Sequence, residues 1–377
     1  MLNLILFELK KIFKDIKNVI CIIFFLIFIM GFIYINSQID TNKKMGWKST
    51  LYSQSDSISE KIQALNTRKQ SNPSSTDSKT DREIVFLSQH QAIISDMIKA
   101  YNNKNLKSYL TAKKTLDQHS IEGIKSNIDF NNLKSIDFYK LNIEKLDIFI
   151  NKNITPIFEE NCMEGYNFLK LISSNLIMLV IILVLLNFVI ECFSSEFEKN
   201  TYKLLFIQPI SKTKIFFSKF IARLLTSFLI LTLVIVSFFL LLGITNGFGN
   251  LEYPTEMFVN GKLTFVPLRE YLSNSLPLLI TVLLFIFCFS IFVSCIFNST
   301  SICVSFTILI SVTFLCICAI VKPIKSFIPF SYIQINDFLC SNDFIFKTPI
   351  NLLYIMSFNI VLVISSLIIL KKKIYRN

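Results

Sequence analysis

Six long apolar runs, the first separated from the second by a polar stretch over residues 36–170, constrain this chain more than any other feature. About 20 consecutive apolar residues cross a bilayer core as a helix. The runs fall at Val19–Ile35, Leu171–Ile190, Phe220–Ile244, Leu276–Phe297, Ile302–Val321 and Asn351–Leu370. The first is short, but Ile16 and the snorkelling side chains of Lys14 and Lys17 extend it at the interface. Tyr34-Ile35-Asn36-Ser37-Gln38 offers a poor small-x-small cleavage site, so this run reads as a permanent span. With hydrophobic residues at 52% and charged residues at 17%, a water-soluble globule is disfavoured. The expectation is an all-α polytopic membrane protein with six transmembrane helices. It carries a helical extracellular domain between spans one and two and a small extracellular β-hairpin between spans three and four.

The net charge of +12 does not require nucleic acid, because the lysines lie beside spans or dispersed among carboxylates such as Asp77, Asp81, Glu83, Asp96, Glu144 and Glu159. Basic residues next to spans favour the cytoplasmic leaflet and its anionic lipid, which makes membrane lipid a partner. Lys10, Lys11, Lys14 and Lys17 precede span one, and Lys199, Lys203, Lys212, Lys214 and Lys219 join spans two and three. Lys371, Lys372, Lys373 and Arg376 form the tail. The opposite connections hold only Lys262, Arg269, Lys322, Lys325 and Lys347. Both termini are therefore expected in the cytoplasm and the polar domain outside. The layout is a cytoplasmic amphipathic helix over 1–18, span one over 19–35, the exterior domain over 36–170, and a five-helix region over 171–377.

Within the first segment Leu2, Ile5, Leu9, Ile12, Phe13 and Ile16 recur at helical spacing, with Glu8 and the lysines mainly elsewhere on the wheel. In the exterior domain, helices are expected around Ile84–Tyr101, Leu106–Leu116 and Phe138–Phe149, with a loop between Lys69 and Thr80. Strands at Glu256–Val259 and Lys262–Val266 flank Asn260-Gly261, a pair suited to a type I′ turn. Leu268–Leu272 reads as a short interfacial helix, and Ile328–Tyr332 with Phe344–Phe346 as outer-surface anchors or a lid. Cys162 and Cys340 alone face an oxidising exterior in this layout, and nothing fixes their separation. His90 and His119 have no carboxylate or cysteine at zinc spacing, so no metal site and no catalytic residue is assigned.

The connection over 192–219 is the most specific segment. Phe193, Phe197, Leu204 and Leu205 share one face of a helical segment, with Glu196, Glu198, Lys199 and Lys203 outside it. Pro209 ends that helix, and Ser211 is placed to cap the next, which runs through Lys219 and Arg223 into span three. The result is a rigid elbow with charged groups projecting into the cytosol. In order, Glu196, Thr201, Leu204, Leu205, Pro209, Ser211, Lys212 and Lys219 resemble the signature of membrane subunits of type 2 ATP-binding-cassette exporters, with Asn200 in place of the usual glycine. Asn tolerates the left-handed backbone that glycine would adopt. The large domain after the first span resembles one branch of that family, which includes permeases linked to antibiotic-peptide export or immunity and to sodium extrusion.

The resemblance implies that the elbow, Glu198 included, couples to a separate cytoplasmic ABC-type ATPase subunit, and that a second permease copy or paralogue completes the pathway. No G-x-x-x-x-G-K-[ST] phosphate loop occurs in the chain, so ATP belongs on the partner and no cofactor is expected here. The setting implied is a bacterial plasma membrane, consistent with abundant Lys, Ile, Asn and Phe. Asn175, Asn187, Ser227, Ser290, Ser294, Ser305, Ser311 and Asn359 read first as helix-packing glue. The absence of Asp, Glu or Lys deep within any run argues against a proton relay. An alternative is a membrane sensor or adaptor whose exterior domain detects a ligand without transport; a kinase partner without cargo movement would distinguish it.

Overall fold

The computed structural model describes residues 2–71, 78–103, 105–128, 133–154, 162–203, 210–259, 261–344 and 348–376. Helix α1 (Leu2–Lys14) turns at Asp15 into α2 (Ile16–Ser71), which crosses from the first apolar run into polar sequence without a break. No residue of α2 is proline, and Leu51, Ile58 and Leu65 recur every seven residues, giving its polar half one stripe to bury. The boundary expected at residue 36 is thus no boundary in the backbone.

That stripe packs on α3 (Ser78–Asn102), which packs in turn on α4 (Leu106–Lys125) and α4 on α5 (Ile136–Lys152). Asn105 caps α4 by accepting from the Ser108 amide at 3.1 Å, and Ser135 caps α5 by accepting from Phe138 at 3.3 Å. Asn153 ends α5 in the left-handed region at φ 51°. The three expected helices are present. The fourth member of the array, the extension of α2, has no counterpart among the expected elements.

Span two differs from its expected form. In its place stand α6 (Gly165–Ile172) and α7 (Asn175–Ile190), bent by 70° at Ser173-Ser174, where Ser174 is extended. Among the described residues five helices are long and apolar enough to cross a membrane, and six when this bent pair counts as one span. Helix α6 is held by Gly165 and Tyr166 amides that donate to the Gly247 and Phe248 carbonyls at 3.1 and 2.9 Å. Phe248 closes over Gly243, where an added Cβ would overlap the ring. Gly243→Ala is expected to cost about 1–3 kcal/mol through overpacking, read as a lower Tm of the purified protein.

After the turn containing α8 (Ser194–Glu198), α9 (Lys212–Asn246) runs unbroken through Lys219 and Arg223, as the sequence implied. The hairpin pairs β1 (Pro254–Val259) with β2 (Lys262–Pro267), and Val259 opposite Lys262 leaves a two-residue loop. Gly261 has φ +82°, while Asn260 lies outside the described residues. Next to the hairpin, Glu252 pairs with Lys152 of α5 at 2.7 Å and with Arg269 at 3.1 Å, joining the polar helices to the bundle.

Leu268–Leu272 is not a separate helix but the first turns of α10 (Leu268–Ile296), the most enclosed helix, which contacts α7, α11 (Thr300–Ile320) and α13 (Thr348–Arg376). Between α11 and α13 lie 3₁₀ turns at Lys322–Phe327 and Pro329–Ile333 and the short α12 (Ile335–Cys340). The surface anchor expected at Ile328–Tyr332 is instead buried. Phe330 inserts among Phe285, Phe289 and Phe314 at ring distances of 5.0, 5.1 and 5.3 Å, and Tyr332 Oη donates to the Ser326 carbonyl at 2.7 Å. Segments led by proline fold back over the bundle end, and the aromatic rings fill it. Phe344 packs on Tyr332 and Phe338, while Ile345 and Phe346 lie outside the described residues. Cys162 and Cys340 are not bridged.

Candidate functional site

At the basic end of the bundle α7 terminates, and the chain must satisfy its last carbonyls in apolar surroundings. Ser294, fully buried on α10, does this from the side. Its hydroxyl donates to the Ile190 carbonyl at 2.8 Å and accepts from the Phe193 and Ser194 amides at 3.0 and 2.9 Å. One side chain therefore ties the end of α7 to the start of α8. Arg223 Nη1 donates to the Phe188 carbonyl at 2.6 Å, placing a cation where the α7 dipole favours one.

Helix α8 is shorter than expected. It stops at Glu198, and Asn200 turns the chain in the left-handed region at φ 57°. The conformational tolerance attributed to Asn200 is what ends the helix. Leu204, Leu205 and Pro209 lie outside the described residues, so their shared face and the proline break are not placed. Ser211 occupies the N-cap of α9 with extended backbone but makes no side-chain cap bond, and Lys212 is the first helical residue.

The charged residues of the segment divide into an inner and an outer set. Glu196, expected to project outward, is buried at 7% exposure, and Lys219 at 2%. Lys219 Nζ lies 3.1 Å from Glu196 Oε1 and 2.9 Å from Glu8 Oε1. Lys11 Nζ reaches the same Glu196 oxygen at 2.6 Å, and Thr201 donates to Oε2 at 2.5 Å. Burial alone would raise the Glu196 carboxyl. Attraction to Lys219 and the hydrogen bonds from Lys11 and Thr201 outweigh that and hold it at about 2. Because its folded pKa is depressed, its contribution is complete above the ordinary range near 4.5 and is lost as pH falls toward 2.

Glu8, expected on the solvent side of α1, instead falls between Ile5 and Ile12 on the stripe that packs on α9, while Leu2, Leu6, Phe7 and Phe13 are exposed. A carboxylate on the inner stripe is stable there because Lys219 meets it.

The outer set is Glu198, Lys199 and Lys203, all exposed. Glu198 Oε2 accepts from the Thr300 amide and hydroxyl at 3.0 and 2.8 Å, capping α11, and these bonds hold its carboxyl below the usual range. Lys373 of α13 donates to the Cys295 and Ile296 carbonyls at 3.1 and 2.9 Å and stands 3.9 Å over the Phe197 ring. Glu8, Lys11, Arg223, Ser294 and Lys373 all bear on the elbow, although the sequence pattern does not single them out for it. Their only sequence signals are a charge on an apolar stripe for Glu8 and helix-end positions for Lys11 and Lys373. Beside the network, α1, α2 and the elbow enclose a cavity of about 610 Å³ lined by both signs of charge.

The described part of the elbow is bonded to several helices. Its buried carboxylate is fastened to α1 and α9, its backbone to α7 and α10, and its outer carboxylate to α11. A family model described as ABC-2 family transporter protein matches residues 2–372. No curated protein and no solved structure matches the chain.

Proposed function

The chain belongs to the ABC-2 transporter family and is the membrane permease subunit of an ABC transporter that works with an ABC ATPase, and we propose that it is an exporter whose elbow receives the ATPase stroke. The observation that carries this reading is the division of the elbow: Glu196 locked to Lys219 and, through it, to Glu8 inside, with Glu198, Lys199 and Lys203 presented outside. A docking surface needs accessible charge for recognition and a rigid base for transmission. Both are present within one short segment.

In the proposed cycle the ATPase docks on the cytoplasmic face, with both termini on that side of a bacterial plasma membrane. Closure of the ATPase pair displaces the elbow. Helices α7, α9 and α10 move with it, and the pathway opens outward at the end bearing the polar domain. The cargo is a peptide, lipid or other amphiphile. A second permease, identical or paralogous, completes the pathway, since the single bundle is filled along α10 by its own side chains.

The test is reconstitution of the permease with its ATPase. Lys199→Glu combined with Lys203→Glu is expected to weaken ATPase recruitment at least about tenfold and to abolish cargo-stimulated hydrolysis, with an unchanged Tm. Normal recruitment and stimulation by this variant would show that the ATPase docks elsewhere.

A further inference from the structure

The polar helices enclose a second cavity, of about 600 Å³, far along the chain from the elbow and without a part in the proposed transport cycle. Leu51 and Ile58 of α2, Met97 of α3 and Leu116 of α4 give the lining apolar patches, among which Ser53, Gln54 and Ser57 of α2 add polar groups. The lining also carries charge. Lys113 and Asp117 stand one turn apart on α4, and Lys134 precedes α5.

Asp117 is 7% exposed. Its Oδ2 accepts from Asn142 at 2.5 Å. Among the described residues Lys113 has no carboxylate within ion-pair distance. Lys134 lies 4.0 Å over the Phe138 ring, an exposed contact that leaves its ammonium available. Burial pushes the Asp117 carboxyl up to about 6, against the pull of Lys113, the Asn142 bond and Lys134. One such carboxyl does not neutralise two lysines, and Lys145 adds further positive charge near Lys113. Burial, with Lys145 and Lys134 nearby, pushes the Lys113 ammonium down against the pull of Asp117, and an anion received beside it would offset that cost.

We propose that this cavity binds a small amphiphilic anion, its carboxylate or equivalent group received by Lys113 and Lys134 and its hydrocarbon body lying on Leu51, Ile58, Met97 and Leu116. The site does not depend on the transport reading, because binding here needs neither the ATPase nor cargo movement. An amine ligand would require the opposite balance, with Asp117 as its principal partner.

The test uses the full chain in lipid nanodiscs titrated with octanoate by calorimetry, with the heat of empty nanodiscs subtracted. Saturable binding at one site is expected, and Lys113→Gln and Lys134→Gln should each weaken it about tenfold, or ~1.4 kcal/mol. Asp117→Asn should leave octanoate affinity unchanged or raise it. Octylammonium and octanol should give no saturable heat. Lys134 is exposed, so its variant keeps the test decisive if Lys113→Gln lowers the Tm. Absence of saturable octanoate binding, equal binding of octanol or octylammonium, or indifference to the Lys134 substitution would each overturn the proposal.

Discussion

Lys219→Met is expected to destabilise the folded protein by about 3–5 kcal/mol, because it leaves two carboxylates buried without their shared cation. Glu8 and Glu196 are 6% and 7% exposed, and Lys219 Nζ lies within 3.1 Å of both. Methionine fills a similar volume, so the loss is electrostatic rather than a cavity effect. Lys11 cannot substitute, since its ammonium is bonded to Glu196 and leaves Glu8 alone. In thermal melts in mild detergent the Tm should fall by on the order of 10 °C. Adding Glu8→Gln should recover a substantial part, because the charge stranded at Glu8 is then gone. A wild-type Tm for Lys219→Met, or no recovery in the double variant, would show that the network does not carry the stability assigned to it.

Ser294→Ala is the second large effect, expected at about 2–4 kcal/mol. The substitution removes a hydroxyl that accepts from two backbone amides and donates to one carbonyl, all buried. The Ile190 carbonyl keeps the Ser194 hydroxyl at 2.6 Å, but the Phe193 and Ser194 amides lose their partner, and each unsatisfied buried group costs about 1–3 kcal/mol. Ser290 provides the comparison. It is equally buried one turn earlier, yet its hydroxyl returns to Ile286 of its own helix. Ser290→Ala should therefore cost less than about 1 kcal/mol. If the two alanine variants melt together, Ser294 does not organise the elbow.

The same serine shows where the sequence is legible and where it is not. Apolar runs identify spans because crossing lipid demands length and composition alone. The hairpin is readable because positive φ at Gly261 is a local demand. Ser294 and Ser290 look alike in sequence, and only the helix beside each decides whether it is glue or a junction. The sequence pattern puts Glu8 on the wrong side of its helix because charge is ordinarily solvated; its partner lies on α9, far away in the chain. Asn200 is recognisable as tolerant of left-handed backbone, but a tolerated conformation does not say that the helix will stop there. The break at Ser173-Ser174 is easily passed over for a different reason: apolar residues dominate on both sides, and the only local mark is the short polar run Ser173-Ser174-Asn175.

The unbroken course of α2 has a mechanical consequence. About 36 of its residues lie beyond the first apolar run, a reach of roughly 54 Å at 1.5 Å per residue. Pivoting the membrane half by about 5° sweeps the far end through roughly 5 Å over that reach. The helix has the geometry of a lever arm pivoting where the first apolar run ends, with other helices bundled against its outer half. Small rotations among the membrane helices thus become displacements as wide as a helix turn at the tip, and a load placed on the tip returns to the bundle as torque.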